Sequence, residues 1–186
     1  MNIAGSHRFT APRAAVFAAI RDPRTLLAVI PGCQAVEQVG PDEYEGRISL
    51  RLPGAVGVYR THVRLVDVVE PERCGLDGRV EGSMGTITGR ASFTLADDAS
   101  GTAMSYQGTG SIGGPLARLD GGIAERLAQS LIGQGLSALD RRLATEGHER
   151  RSRATSSPPR CPTRSRSSGS TAPSCWSWPA ARSPCR

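Results

Sequence analysis

The chain has no lysine: all 23 of its basic residues are arginine. It has few aromatic residues, with three Phe, three Tyr and two Trp in 186 positions. No run approaches the roughly 18 to 20 apolar residues that a membrane-spanning helix needs. Arg8, Arg13, Arg21 and Asp22 interrupt the first thirty residues, which argues against a secretory signal. No CxxC pair and no Cys/His cluster has metal-ligand spacing. The expectation is therefore no metal and no cofactor, with Cys33 and Cys74 as small, partly buried thiols. No nucleophile elbow is present. Gly108, Gly110, Gly113 and Gly114 precede a helix but lack the Lys-Ser/Thr pair of a phosphate loop, which speaks against nucleotide binding.

What charge there is lies at one end. The formal net charge is +6, a value that invites a nucleic-acid reading. Residues 1–146 hold 15 Arg against 16 Asp and Glu, whereas residues 147–186 hold eight Arg and one Glu. The body is thus near neutral and lacks a basic face, so nucleic acid is the weakest reading. The segment 147–186 is rich in Arg, Ser and Pro, has no helical or strand periodicity, and reads as a disordered tail. With a UCN serine codon, a two-base frame shift of Cys175-Trp176-Ser177-Trp178-Pro179 would read Leu, Val, then Leu, Val or Met, then Ala. The tail is accordingly expected either as a genuine Arg/Ser/Pro linker or as an out-of-frame readout of a hydrophobic segment.

The body reads as one domain, residues 1–146. Asn2–Phe9 alternates like a strand. Thr10 and Pro12 look like a cap and first turn for a short helix whose inner face is Val16, Phe17 and Ile20. Asp22-Pro23 repeats the signal for a second short helix, which Pro31-Gly32 ends. From Cys33 onward the pattern is β. Glu43–Leu52 alternates strictly, and strands follow over 56–69, 75–82, 86–95 and 102–112. Gly113-Gly114-Pro115 then opens a long helix to about Ala144, with Leu116, Leu119, Ile123, Leu127, Leu131, Leu136, Leu139 and Leu143 as its apolar stripe. A curved antiparallel sheet of about seven strands and a long amphipathic helix each need a partner for an apolar face. The expected fold is α+β: a helix-grip in which the sheet wraps the C-terminal helix, with two short helices after the first strand.

Such a fold usually leaves a cavity between sheet and helix. The candidate lining is Ile48, Leu50, Val63, Leu65, Ile87, Phe93, Met104, Leu119, Ile123, Leu127 and Leu131, with Tyr59 and Tyr106 as polar handles. Composition alone would fit a plain packed core, but the many Gly and Ala at facing positions leave volume for a bulky apolar ligand. Acid/base candidates are few. His62 alternates with arginines on the wet face, and His7 shares a face with Ile3 and Phe9.

Pro12, Val16, Phe17, Asp22-Pro23, Leu26 and Ile30-Pro31-Gly32-Cys33, followed by Gly82–Leu95 and Gly110–Gly122, resemble the CoxG family of carbon monoxide dehydrogenase subunits, a branch of the START-like SRPBCC superfamily. The resemblance spans about residues 1–145. Phe17 stands where family members often have Trp, and the tail departs from the apolar anchor that relatives often carry. The resemblance implies a helix-grip protein without catalytic residues. It also implies an accessory role toward a molybdenum-containing carbon monoxide dehydrogenase or related hydroxylase, recruiting it to the inner face of the plasma membrane. The implied location is cytoplasmic and peripheral, with a lipid or respiratory quinone in the cavity. The competing expectations are a START-like cyclase or hydrolase using His7, and a ligand-free scaffold that binds its partner around Ile30-Pro31-Gly32.

Overall fold

The computed structural model describes residues 1–52, 55–118 and 121–155. Seven strands form one antiparallel sheet: β1 (Asn2–Phe9), β2 (Cys33–Gly40), β3 (Glu43–Leu52), β4 (Ala55–Val69), β5 (Arg73–Gly82), β6 (Gly85–Asp98) and β7 (Gly101–Gly113). The spatial order is β1-β7-β6-β5-β4-β3-β2, a meander from β2 to β7 with the first strand added beside the last. Two short helices, α1 (Arg13–Arg21) and α2 (Pro23–Val29), separate β1 from β2, and α3 (Gly121–Thr155) ends the described chain. The expected helix-grip is the fold found.

Strand alternation decides which residues face α3. The register pairs Leu50 with Gly57, Ile48 with Tyr59, Tyr44 with Val63, Val80 with Ile87, Cys74 with Phe93, and Leu95 with Met104. Paired residues point to the same side, so one face carries nearly all the aliphatic and aromatic groups. The opposite face carries an alternating ladder, Glu43–Arg64–Asp77–Arg90, closed by ion pairs between Arg64 and Glu43 and between Arg90 and Asp77.

The core divides in two. One cluster joins Phe9 of β1 and Val16 and Phe17 of α1 to Leu65, Phe93, Leu95 and Met104 of the sheet and Leu139 and Leu143 of α3. A smaller one joins Leu50, Tyr59 and Leu116 with Ile48, Val80, Ile87, Ile112 and Leu131 packed against them. Between them the inner face crosses a row that has no side chains, Gly78–Gly89–Gly110.

Helix α3 is fastened along the edge strand. The amide of Asn2 donates to Glu125 Oε1 at 2.7 Å, and the amide and hydroxyl of Thr10 donate to Asp140 Oδ1 at 2.9 and 3.1 Å. Thr10 is therefore a latch for α3 and not the expected cap of α1. Pro12 occupies the cap position of that helix, without a side-chain hydrogen bond. The long helix also differs from its reading in sequence. Residues Gly114–Arg118 form a separate 3-10 turn, α3 starts only at Gly121, and it continues past Ala144 to Thr155. A backbone carrying two glycines and a proline at 113–115 favours a tight turn over a continuous α-helix. The Arg142–Glu146 pair, one turn apart, supports the extension. The remainder of the expected tail, from 156 onward, lies outside the described residues, as does Leu119.

The cap of α2 is the one expected. Asp22 accepts from the Thr25 hydroxyl at 2.6 Å and from the Thr25 amide at 2.9 Å. The Thr25 hydroxyl above all holds the Asp22 carboxyl below its usual range; partial burial opposes this, and the Thr25 and Arg24 amides reinforce it. A carboxyl depressed by folding contributes stability that is complete above its unfolded-state pKa and is lost as pH falls through the lower folded value. Asp22→Ala should therefore cost about 1 kcal/mol at neutral pH. Thermal melts across the acid range should show the two proteins converging. A difference that persists after the carboxyl is protonated would show that the charge of Asp22 is not what caps the helix.

Candidate functional site

Among the described residues, no group of three His, Cys, Asp or Glu side chains is arranged to hold a metal ion. His62 is exposed on the outer face. His7 lies edge-on to Phe9, with ring centroids 4.8 Å apart, and its Nε2 is buried without a partner among the described residues. Burial pushes the thiols of Cys33 and Cys74 above their ordinary value, which keeps both protonated and poorly nucleophilic at neutral pH.

The most apolar hollow found among the described residues is a partly open cavity of about 80 Å³ at the end where the smaller cluster lies. Its wall is Met1, Leu50 of β3, Ile87 of β6, Ile112 of β7, Leu116 of the 3-10 turn, and Ala124, Leu127, Ala128 and Leu131 of α3. The helical contributors fall at i, i+3, i+4 and i+7, the spacing that places one stripe against a partner. Two of them are alanines, so the stripe presents little bulk where it meets the sheet.

One polar atom belongs to this end. Tyr59 is 0% exposed, and its hydroxyl has no hydrogen-bond partner among the described residues. Its ring lies flat against Gly82, where a Cβ would sit 2.4 Å from Tyr59 Cδ1. The side chain is thus held between β5 and the Leu50–Leu116 cluster. Leaving a buried hydroxyl unpaired costs about 1–3 kcal/mol.

The residues expected to line one cavity separate into groups. Leu50, Ile87, Leu127 and Leu131 line it. Ile48 and Tyr59 belong to the same cluster. Val63, Leu65, Phe93, Met104 and Tyr106 belong to the larger cluster at the other end, with the Tyr106 hydroxyl lying over Gly5. Ile123 is 36% exposed. Its place in the expected stripe assumes a helix running unbroken from residue 113; the helix that starts at Gly121 turns Ala124 inward instead. Met1, Ile112, Ala124 and Ala128 are additions to the expected lining. The two alanines were recoverable from their spacing to Leu127 and Leu131.

The larger hollows are open grooves. One, of about 540 Å³, crosses the outer face over the Gly78–Gly89–Gly110 row, and its arginines Arg64, Arg79 and Arg90 are each paired with a carboxylate. Another, of about 940 Å³, runs between α1 and the end of α3. Its polar groups are likewise engaged, Asp22 with Thr25 and Arg142 with Glu146.

Residues 5–144 match the family model of the carbon monoxide dehydrogenase subunit CoxG. No curated protein matches the chain by sequence. Among solved structures, a conserved protein from Geobacillus kaustophilus superposes with a TM-score of 0.74 at 22% identity, covering 78% of this chain and 96% of that one. A protein from Chromobacterium violaceum gives 0.58 at 20% identity over 75% and 94% of the two chains. The di-domain ARO/CYC StfQ of the steffimycin biosynthetic pathway gives 0.58 at 9% identity, over 79% of this chain and 52% of that one. At these identities the likenesses establish a shared fold.

Proposed function

The chain belongs to the CoxG family of carbon monoxide dehydrogenase subunits, and from that premise we propose that it is a non-catalytic accessory protein of a molybdenum-containing carbon monoxide dehydrogenase or related hydroxylase. Its work is to hold a hydrophobic ligand that carries a hydrogen-bond acceptor, with a respiratory quinone as the leading identity, beside the inner face of the plasma membrane. The observation that supports this reading is the pairing of an apolar cavity with the fully buried, unpartnered hydroxyl of Tyr59. An apolar wall supplies about 25 cal/mol per Å² of ligand surface withdrawn from water. Tyr59 packs in the cluster beside that wall and is not part of its lining; a donor there would orient a carbonyl of a ligand that enlarges the space toward it, and a ligand lacking the acceptor would leave the donor unpaired.

The cavity of about 80 Å³ accommodates only a few carbon atoms. A ring with a prenyl tail needs the first half of α3 to move outward. Ala124 and Ala128 give this part of the helix less bulk against the sheet than the Leu136–Leu143 part, which packs on the larger cluster. No helix among the described residues is long and apolar enough to cross a membrane, so the proposed membrane association is peripheral.

The test is extraction. Full-length protein purified without detergent and extracted with organic solvent should release a carbonyl-bearing lipid near one equivalent, identified by mass spectrometry. It should also co-purify with the hydroxylase from cells that make both. Protein that carries no lipid, and takes up none from added quinone, would overturn the ligand reading. Failure to co-purify would overturn the accessory role.

A further inference from the structure

On the outer face of the sheet the charges follow two different rules. In the Glu43–Arg64–Asp77–Arg90 row they alternate in sign from strand to strand. In the next two rows, toward the cavity end, like signs stand together. Glu37 of β2 is directly opposite Glu45 of β3, and Arg47 of β3 is directly opposite Arg60 of β4. Like charges placed opposite each other destabilise a strand pair. All four side chains are exposed, and none forms an ion pair among the described residues. His62 and Arg79 continue the glutamate row and Glu81 continues the arginine row, with Arg79 and Glu81 paired to each other. The two rows lie about 7 Å apart, two residues along each strand, so Glu45 and Arg47 do not meet within one chain. The carboxylates Glu37, Glu45 and Glu81 balance the arginines Arg47, Arg60 and Arg79. The face therefore selects neither an acidic nor a basic partner.

A second copy of the chain supplies the opposite pattern. Let the copy be turned end for end about a two-fold axis that runs across the strands between the two rows. Each Arg47 then meets a Glu45, and each Arg79 meets a Glu81, while Arg60 falls beside His62 and Glu45 of the second copy. The same rotation carries Val58 onto Arg64 and Val56 onto Val66, residues that share this face by strand alternation. Val56 and Val58 are 73% and 51% exposed, and Val56 is the most exposed of the large hydrophobic residues in the described chain. One contact thus relieves the opposed like charges and covers the valines. Facing sheets pack with their strands nearly aligned. Four strands with four or five outward residues each bring about 20 side chains to the contact, as many as a standard interface uses on each side. We infer that the outer face of β2–β5 is a self-complementary surface through which two copies of this chain form a two-fold dimer. The inference concerns assembly and is independent of the ligand reading.

The test is analytical ultracentrifugation of the full chain over a range of concentrations. The wild type should sediment as a monomer–dimer equilibrium. Glu45→Arg and Arg47→Glu each turn the two central attractions into repulsions, and each should weaken the dimer at least about tenfold. Mixed in equal amounts, the two variants should associate like the wild type, because each then faces the sign it needs. Val56→Ser with Val58→Ser changes no charge and should weaken the dimer at low and high salt alike. The substituted side chains are all exposed, so unchanged circular dichroism spectra confirm that the fold is retained. The inference is overturned if the wild type is monomeric at every concentration. It is also overturned if either single charge reversal leaves the dimer intact, which places the contact elsewhere, or if the mixed variants fail to associate, which excludes the opposed Glu45–Arg47 geometry. A chain that stays monomeric and loses capture of the hydroxylase on Glu45→Arg would assign the face to that partner instead.

Discussion

Gly32→Ala should destabilise the domain by about 3 kcal/mol, lowering the melting temperature by roughly 6 to 12 °C. Gly32 closes the Ile30-Pro31-Gly32-Cys33 segment and leaves α2 with φ +76°. Any residue with a Cβ meets the left-handed penalty there. A Cβ would also sit 2.3 Å from the backbone oxygen of Ser49. That oxygen cannot swing aside like a side-chain tip, because the Ser49 amide donates to Gly32 O at 2.8 Å and fixes the two backbones together. The substitution must either separate β3 from the α2–β2 connection, losing that hydrogen bond, or bend the strand next to Leu50. Gly40→Ala is the control. Its Cβ would meet Glu43 Cβ at 3.4 Å, an ordinary contact, and its φ lies outside the left-handed region. It should change stability by less than about 1 kcal/mol. Equal urea midpoints for the two variants would show that the Gly32 junction is not a constrained connection.

This result bears on what the family's sequence pattern means. Ile30-Pro31-Gly32 and Asp22-Pro23 are the segments that most resemble the family, and the structure gives both a mechanical part: one locks the exit of α2 onto β3, the other caps its start. Neither touches the cavity. The resemblance was therefore legible in residues that build the grip, whereas the ligand-facing residues are ordinary aliphatics and alanines with no motif of their own.

The same division explains what else could be read from sequence. Strand content was plain because Glu43–Leu52 and its neighbours alternate with period 2, and burial of one face enforces that alternation. The phase of α3 was not plain. Leu116 and Leu119 extend the leucine spacing backward as far as Gly113-Gly114-Pro115, and only the observed 3-10 turn shows that the helix starts at Gly121. The division of the core into two clusters was likewise hidden. It depends on Gly78, Gly89 and Gly110 standing side by side on three strands, a register that no single strand encodes. The latch of Thr10 on Asp140 and of Asn2 on Glu125 joins residues more than a hundred positions apart, beyond any local pattern.

Tyr59→Phe should raise the stability of the ligand-free protein and lower its hold on ligand. Tyr59 is fully buried, its ring is fixed against Gly82, and its hydroxyl has no partner. Phenylalanine keeps the ring and removes only the group that burial penalises, for a gain of about 1–2 kcal/mol. A hydroxyl kept at that cost by a protein that binds nothing has no physical return. A hydroxyl that donates to a ligand carbonyl recovers the penalty when the ligand enters, and its loss should weaken binding on the order of tenfold to a hundredfold. The two effects have opposite signs, which separates this role from that of a packing residue, whose truncation weakens both fold and binding. Melting of delipidated protein gives the first quantity, and titration with a short-chain quinone gives the second. A variant that is less stable than the wild type, or that binds the quinone equally well, would assign Tyr59 to the core alone.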